Sequence, residues 1–248
     1  MTPALRTEAL GRHFGGIRAV NKVSLEFHKG ERHAIIGPNG AGKTTLINLL
    51  TGVLRPTEGE VFLDGHPVTR LRPDERVKRG LARTFQINSL FPELTVLQSV
   101  LLAVCERHGV AVKAWRHLER FAGEIAAARE ILEGLGLRGV EGEPVRELAY
   151  GQQRLVEIAL ALACRPRVLL LDEPAAGVPR GESEALFQAI AGLPGGVTVV
   201  FIEHDMDLVF RFAQRITVLV QGSVLVQGEP REIAADPEVK RVYLGNAA

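Results

Sequence analysis

A chain of 248 residues, 46% of them hydrophobic and with a formal net charge of +1, holds enough apolar side chains for a large core. That composition excludes intrinsic disorder, and it gives no electrostatic case for a nucleic-acid partner, because the basic residues are spread along the chain beside Asp and Glu. The two cysteines, Cys105 and Cys164, sit in apolar runs without a second Cys or a His at metal-ligand spacing, and both read as buried thiols in a reducing cytoplasm. The opening MTPALRTEAL has no basic start followed by an apolar stretch, and no run approaches the roughly 18 apolar residues of a membrane span. The expectation is a chain with neither secretory signal nor span, which would need a partner for any work at a membrane.

The chain opens with short strands and tight turns. Leu5 to Leu10, Val20 to Phe27 and Val61 to Leu63, the last closed by Asp64-Gly65, frame a buried-strand candidate from Arg32 to Ile36. Helical periodicity then runs from about Leu94 to Leu137, which reads as an inserted helical region. Between Val110 and Leu135 apolar and charged residues alternate at helical spacing, a pattern of a solvated face rather than a membrane-binding helix. Two continuous apolar runs, Val168 to Leu171 and Val197 to Ile202, flank the helical stretch GESEALFQAIAGL as a strand-helix-strand crossover of a parallel sheet. Ile216 to Val220 and Ser223 to Val226 flank Gln221-Gly222 as a hairpin, and Pro230 to Leu244 reads as a charged helical tail. No internal repeat or flexible linker separates a second domain, so residues 1–248 read as one α/β domain.

The tract ERHAIIGPNGAGKTTLINLL places Gly37, Gly42, Lys43 and Thr44 in the order G-x-x-x-x-G-K-[ST], directly after a strand and before a helix. Triphosphate oxygens need many donors at close range. Gly37, Gly40 and Gly42 let backbone N–H groups approach, and the helix N-terminus adds its dipole. The phosphate-binding set is therefore Gly37, Pro38, Asn39, Gly40, Ala41, Gly42, Lys43, Thr44 and Thr45, with Lys43 on the β- and γ-phosphates and Thr44 on Mg²⁺. The apolar run VLLLDEP ends in Asp172 and Glu173 at the C-terminal end of a buried strand, where open α/β sheets gather ligand chemistry. By position Asp172 serves the metal and Glu173 orients or deprotonates the attacking water. Alone, the pair reads as well as a helix cap; the upstream phosphate loop argues against that.

The ordered set of that loop, Gln86 in RTFQ, LAYGQQR at Leu148 to Arg154, LLLDEP and His204 in FIEHD resembles the nucleotide-binding domain of ABC transporters over essentially the whole chain. The resemblance implies a P-loop NTPase fold with an N-terminal antiparallel β region and an inserted helical subdomain at about 87–165. It implies ATP and Mg²⁺ as ligands, two such domains closing head to tail on ATP, and transmembrane permease subunits that meet the helical insertion. The second ATPase subunit is an identical chain or a related one. Phe14 would stack on adenine, or else be a strand-end core residue; Gln86 would reach Mg²⁺ or the lytic water; His204 would hydrogen-bond the γ-phosphate. Leu148, Ala149, Tyr150, Gly151 and Gln152 would face the ATP of the other domain.

The usual signature of that family is L-S-G-G-Q, so Ala149 and Tyr150 remove a hydroxyl and a glycine from it. Pro179 stands in the loop after Glu173 where the family commonly places Asp or Asn. LAYGQQR, LDEPAAG, IEHDM and the terminal Tyr243-Leu244-Gly245 look like ATPase subunits of branched-chain and hydrophobic amino-acid importers, working at the cytoplasmic face of the inner membrane as peripheral proteins. An exporter or lipid-extracting ATPase would share every catalytic residue, and a non-transport P-loop ATPase is the rival from another class. Phe85, Leu90, Phe91 and Leu94, beside Gln86, form either a groove for a partner helix or internal core.

Overall fold

The computed structural model of the chain describes residues 2–84, 90–109 and 121–244. In chain order its elements are β1 (Leu5–Phe14), β2 (Ile17–Phe27), β3 (Arg32–Ile36), α1 (Lys43–Thr51), β4 (Glu58–Leu63), β5 (His66–Pro67), α2 (Pro73–Lys78), β6 (Leu81–Arg83), α3 (Val96–Arg107), α4 (Ala122–Gly134), α5 (Tyr150–Ala163), β7 (Val168–Asp172), α6 (Arg180–Ala191), β8 (Thr198–Ile202), α7 (Met206–Phe212), β9 (Arg215–Val220), β10 (Ser223–Gly228), α8 (Pro230–Ala235) and α9 (Pro237–Leu244). They fall into two compact units. The first comprises Met1–Arg83, Arg167–Pro174 and Pro194–Ala248, and the second Thr84–Pro166 and Ala175–Leu193.

The first unit is built on two sheets. A mostly parallel one has the order β10-β9-β3-β8-β7-β6, with β10 its antiparallel edge, and an antiparallel one has the order β2-β1-β4-β5. Strands β7 and β8 are buried at every position, as their unbroken apolar runs require of parallel strands covered on both faces. Phe27, Ile35, Leu46, Leu50, Leu170 and Ile202 belong to one core that joins the strands to α1. The short elements α2 and β6 carry no sequence period and were not expected. Within α2 the buried Arg76 donates to Leu49 O (2.8 Å) and Leu50 O (2.5 Å), satisfying carbonyls at the C-terminal end of α1, and to Thr69 O (2.9 Å). Burial pulls its guanidinium down to about 10. The expected hairpin is present, with Gln221 and Gly222 both at positive φ (49° and 78°), as a two-residue turn of that hand requires. The tail is two helices rather than one, because Pro237 cannot continue α8.

The second unit is helical, with α3 packed on α4 and α5, and α5 on α6. Helix α3 starts where the pattern placed it: Thr95 Oγ1 accepts from Gln98 N–H (3.2 Å) and Gln98 Oε1 from Thr95 N–H (2.9 Å). Helix α4 buries only Ala128 and Leu132, in keeping with a solvated outer face, while residues 110–120 of that stretch lie outside the described residues. Cys105 is buried, but Cys164 is only half-buried, since it caps the C-terminus of α5 instead of lying within it. Among the described residues no helix is long and apolar enough to cross a membrane.

Candidate functional site

The C-terminal ends of β3, β7 and β8 are where the first unit gathers its polar groups, as open parallel sheets do. The loop after β3 runs straight into α1. Gly37, Gly40 and Gly42 all hold positive φ. At Gly42 (φ 97°) a Cβ would stand 2.2 Å from Ala19 O, so only glycine permits that approach. The loop is held from behind: Gly222 N–H donates to Ala41 O (3.0 Å) and Asn21 N–H to Gly222 O (2.8 Å), which ties it to the β9–β10 turn and to β2. Lys43 folds back on the loop and donates to Gly37 O (2.7 Å) and Pro38 O (3.1 Å). Burial lowers its ammonium from the usual lysine range, while Glu173 and Asp172 oppose the shift. Asn39, Gly40 and Thr44 are exposed, and Thr45 is partly so.

Glu173 follows β7 with φ 51°, a left-handed conformation that a side chain rarely adopts, and its N–H donates to Ile202 O (3.0 Å). Its Oε1 lies 2.7 Å from His204 Nε2, at the end of β8. An ionised carboxylate only accepts, so the shared proton belongs to Nε2. The two strand-end residues singled out from the sequence are thus in direct contact.

Asp172 is buried and binds a residue that the sequence reading passed over. Arg83, the last residue of β6, donates from Nη2 to Asp172 Oδ2 (2.7 Å) and from Nη1 to Asn48 Oδ1 of α1 (2.6 Å). Burial raises the Asp172 carboxyl, Arg83 pulls it down, and Glu173 pushes it up again. Its Oδ1 is buried with no hydrogen-bond partner among the described residues. The open Asp172 Oδ1 and the hydroxyl of the exposed Thr44 are both oxygen donors of the kind a hard cation takes. The signal for Arg83 was a lone charge closing the apolar pair Leu81-Ala82.

Phe14 is 44% exposed, so it is not a core phenylalanine. Its ring carries the Arg12 guanidinium over one face, 4.6 Å from its centroid. Phe91 is exposed, so it is not internal core, whereas Leu90 and Leu94 are partly buried. Gln86 and Phe85 lie outside the described residues, as does Gly245. Tyr243, noted in the sequence only as part of a terminal motif, lines an apolar cavity with Ile36 and Val239 and hydrogen-bonds the Gly37 backbone; burial pushes its phenol up to about 12 against that bond.

In the second unit Leu148 is buried and Ala149 is the exposed N-cap of α5. Gln152 Oε1 accepts from Ala149 N–H (3.2 Å), but Ala149 has no side-chain oxygen with which to reciprocate. Tyr150 takes the place of a glycine and is put to use: its hydroxyl accepts from Arg154 Nη2 (2.8 Å), and Arg154 Nη1 donates to the buried Glu157 (2.8 Å). Burial raises the Glu157 carboxyl, and Arg154 opposes it.

The sequence pattern of the ABC transporter family matches residues 20–176. The chain is 42% identical to the high-affinity branched-chain amino acid transport ATP-binding protein BraF of Pseudomonas aeruginosa, with 99% of both chains covered. To the corresponding protein LivG of Escherichia coli K12 the identity is 39%, again over 99% of both. Among solved structures, the ADP conformation of MJ1267, an ATP-binding cassette of an ABC transporter, superposes with a TM-score of 0.86 at 33% identity, covering 99% of this chain and all of that one.

Proposed function

The chain belongs to the ABC transporter family, and from that premise we propose that it is the ATP-hydrolysing subunit of an importer of branched-chain amino acids. The observation that carries the substrate class is the 39–42% identity, end to end, with the ATP-binding proteins of high-affinity branched-chain amino-acid transport. We read residues 1–248 as one ATPase domain with a helical subdomain inserted at about 87–165; the second unit, Thr84–Pro166 with Ala175–Leu193, spans that insertion and adds α6. Separate permease subunits take the transport path, and the chain sits as a peripheral protein on the cytoplasmic face of the membrane. The exposed Phe91 and Leu102 of the helical unit support its role as the face that meets them.

Lys43 exchanges its two loop carbonyls for the β- and γ-phosphates of ATP, while the loop from Gly37 to Thr45 supplies backbone donors and Phe14 stacks on the adenine. Thr44, Asp172 through its open Oδ1, and Gln86 would hold Mg²⁺, which when bound neutralises charge on the β- and γ-phosphates. Glu173 orients the attacking water and accepts its proton. His204 fixes the Glu173 carboxylate by its Nε2–H and, as that bond is remade, donates to the γ-phosphate. Leu148, Ala149, Tyr150, Gly151 and Gln152 face the ATP of the second domain, an identical or a related chain. Dimeric cassettes among the solved relatives support that pairing. Closure on ATP and reopening after hydrolysis then shift the population of the permease subunits between states.

The test is uptake of labelled leucine, isoleucine and valine in cells of the source organism carrying Lys43→Ala, beside an unrelated solute, with calorimetry of the purified variant. Loss of ATP binding together with selective loss of branched-chain uptake is expected. Unchanged ATP binding sinks the site assignment, and unchanged uptake by a chain that no longer binds ATP sinks the substrate assignment.

A further inference from the structure

The amide of Gly151 is already occupied within its own chain. Gly151 is the second residue of α5, so its N–H is one of the helix-end donors that no intrahelical acceptor reaches. In an L-S-G-G-Q signature the serine at the N-cap would satisfy such a donor; Ala149 cannot. Glu182, in the first turn of α6, does it instead: its Oε2 accepts from Gly151 N–H at 3.0 Å. The fit is close enough that a Cβ at position 151 would lie 2.6 Å from that oxygen, so the glycine is what admits the carboxylate. Glu182 sits near the N-terminal ends of two helices at once, its own and α5, which both favour negative charge.

We propose that Glu182 is a gate on the signature helix: its carboxylate holds the Gly151 amide in the resting chain and gives it up to the γ-phosphate of ATP bound to a second copy of the chain. The inference rests on the reading above, in which that segment faces the other domain's ATP. One amide hydrogen cannot serve a carboxylate and a phosphate together, and the two anions repel at hydrogen-bonding range. Assembly on ATP therefore requires Glu182 to swing off. Because it stands nine residues after Glu173 and at the start of α6, its displacement also reports a seated phosphate to the loop that follows the catalytic carboxylate. A plain structural cap predicts the opposite sign, since weakening a cap weakens whatever the helix does.

The test compares native Glu182 with Glu182→Gln and Glu182→Ala, each in a Glu173→Gln chain that stalls hydrolysis. Sedimentation velocity follows self-association against Mg-ATP, and hydrogen exchange follows the peptide spanning residues 148–153. In the nucleotide-free chain Glu182→Ala is expected to speed exchange of that peptide, with Glu182→Gln, which keeps an acceptor oxygen, close to native. Glu182→Gln is expected to lower the ATP concentration for half-assembly about tenfold, the difference between a charge-assisted and a neutral hydrogen bond to one amide. Assembly that is equal or weaker in Glu182→Gln, with native-like exchange, overturns the gate while leaving the ATP-sandwich reading intact. Absence of ATP-driven assembly in all three chains overturns the gate between two copies of this chain and leaves a related chain as the partner that the reading above allows.

Discussion

Replacing Arg83 by Met removes a guanidinium from a partly buried position while keeping the length of its stem, and the consequence is set by what it leaves behind. Asp172 loses its Oδ2 partner at 2.7 Å and Asn48 its donor at 2.6 Å, in a pocket where Asp172 Oδ1 already has no partner. Breaking a buried pair from one side costs about 3–5 kcal/mol, because a charge is stranded. Asp172 can escape that cost only by taking up a proton, and its carboxyl is already above the usual range from burial, with Arg83 holding it down. A carboxyl raised in the folded state binds protons more tightly there than in the unfolded chain, so it lowers stability as pH rises from the unfolded value of about 4 through the folded one. Without Arg83 the folded value rises further and that loss reaches higher pH. The expected penalty of Arg83→Met in EDTA is thus close to the full ~3 kcal/mol at pH 8, roughly 6–12 °C in Tm for a chain of this size, and clearly less at pH 5. Differential scanning fluorimetry at both pH values measures it, and Asp172→Asn added to Arg83→Met should restore most of the loss at pH 8. A penalty equal at the two pH values and not relieved by Asp172→Asn refutes the reasoning.

His204→Ala should leave ATP affinity within a few-fold by calorimetry, yet lower phosphate release about 10²–10³-fold, since it frees Glu173 and removes the proposed γ-phosphate donor. Loss of ATP binding itself would show that His204 is structural. Gly42→Ala should abolish ATP binding and lower Tm, because its Cβ would meet Ala19 O at 2.2 Å on a backbone with φ 97°. Strain of that kind costs about 1–3 kcal/mol before the clash is counted, and a Tm within about 1 °C of the native chain would contradict it.

What the sequence makes legible is what it repeats locally. Gly37 to Thr44 carries its meaning in spacing, LLLDEP in an apolar run that stops at two carboxylates, and Gln221-Gly222 in a turn type that needs two residues at positive φ. Arg83 with Asp172, Glu182 with Gly151 and Tyr243 with Gly37 are joined across 89, 31 and 206 positions, so no local period or spacing could announce them. Strand β6 has three residues and α2 six, too few for a period to form. Phe14 was ambiguous for another reason: an aromatic at a strand end reads alike whether it is covered or exposed, and only its surroundings decide.

The left-handed backbone at Glu173 sets fold stability and turnover against each other at a single position. Glycine would relax a conformation that costs a glutamate about 1–3 kcal/mol, yet it would delete the carboxylate proposed to orient the attacking water. A screen that rewards thermal resistance alone would therefore drift toward inert chains at residue 173. Keeping glutamate there requires selection on hydrolysis itself.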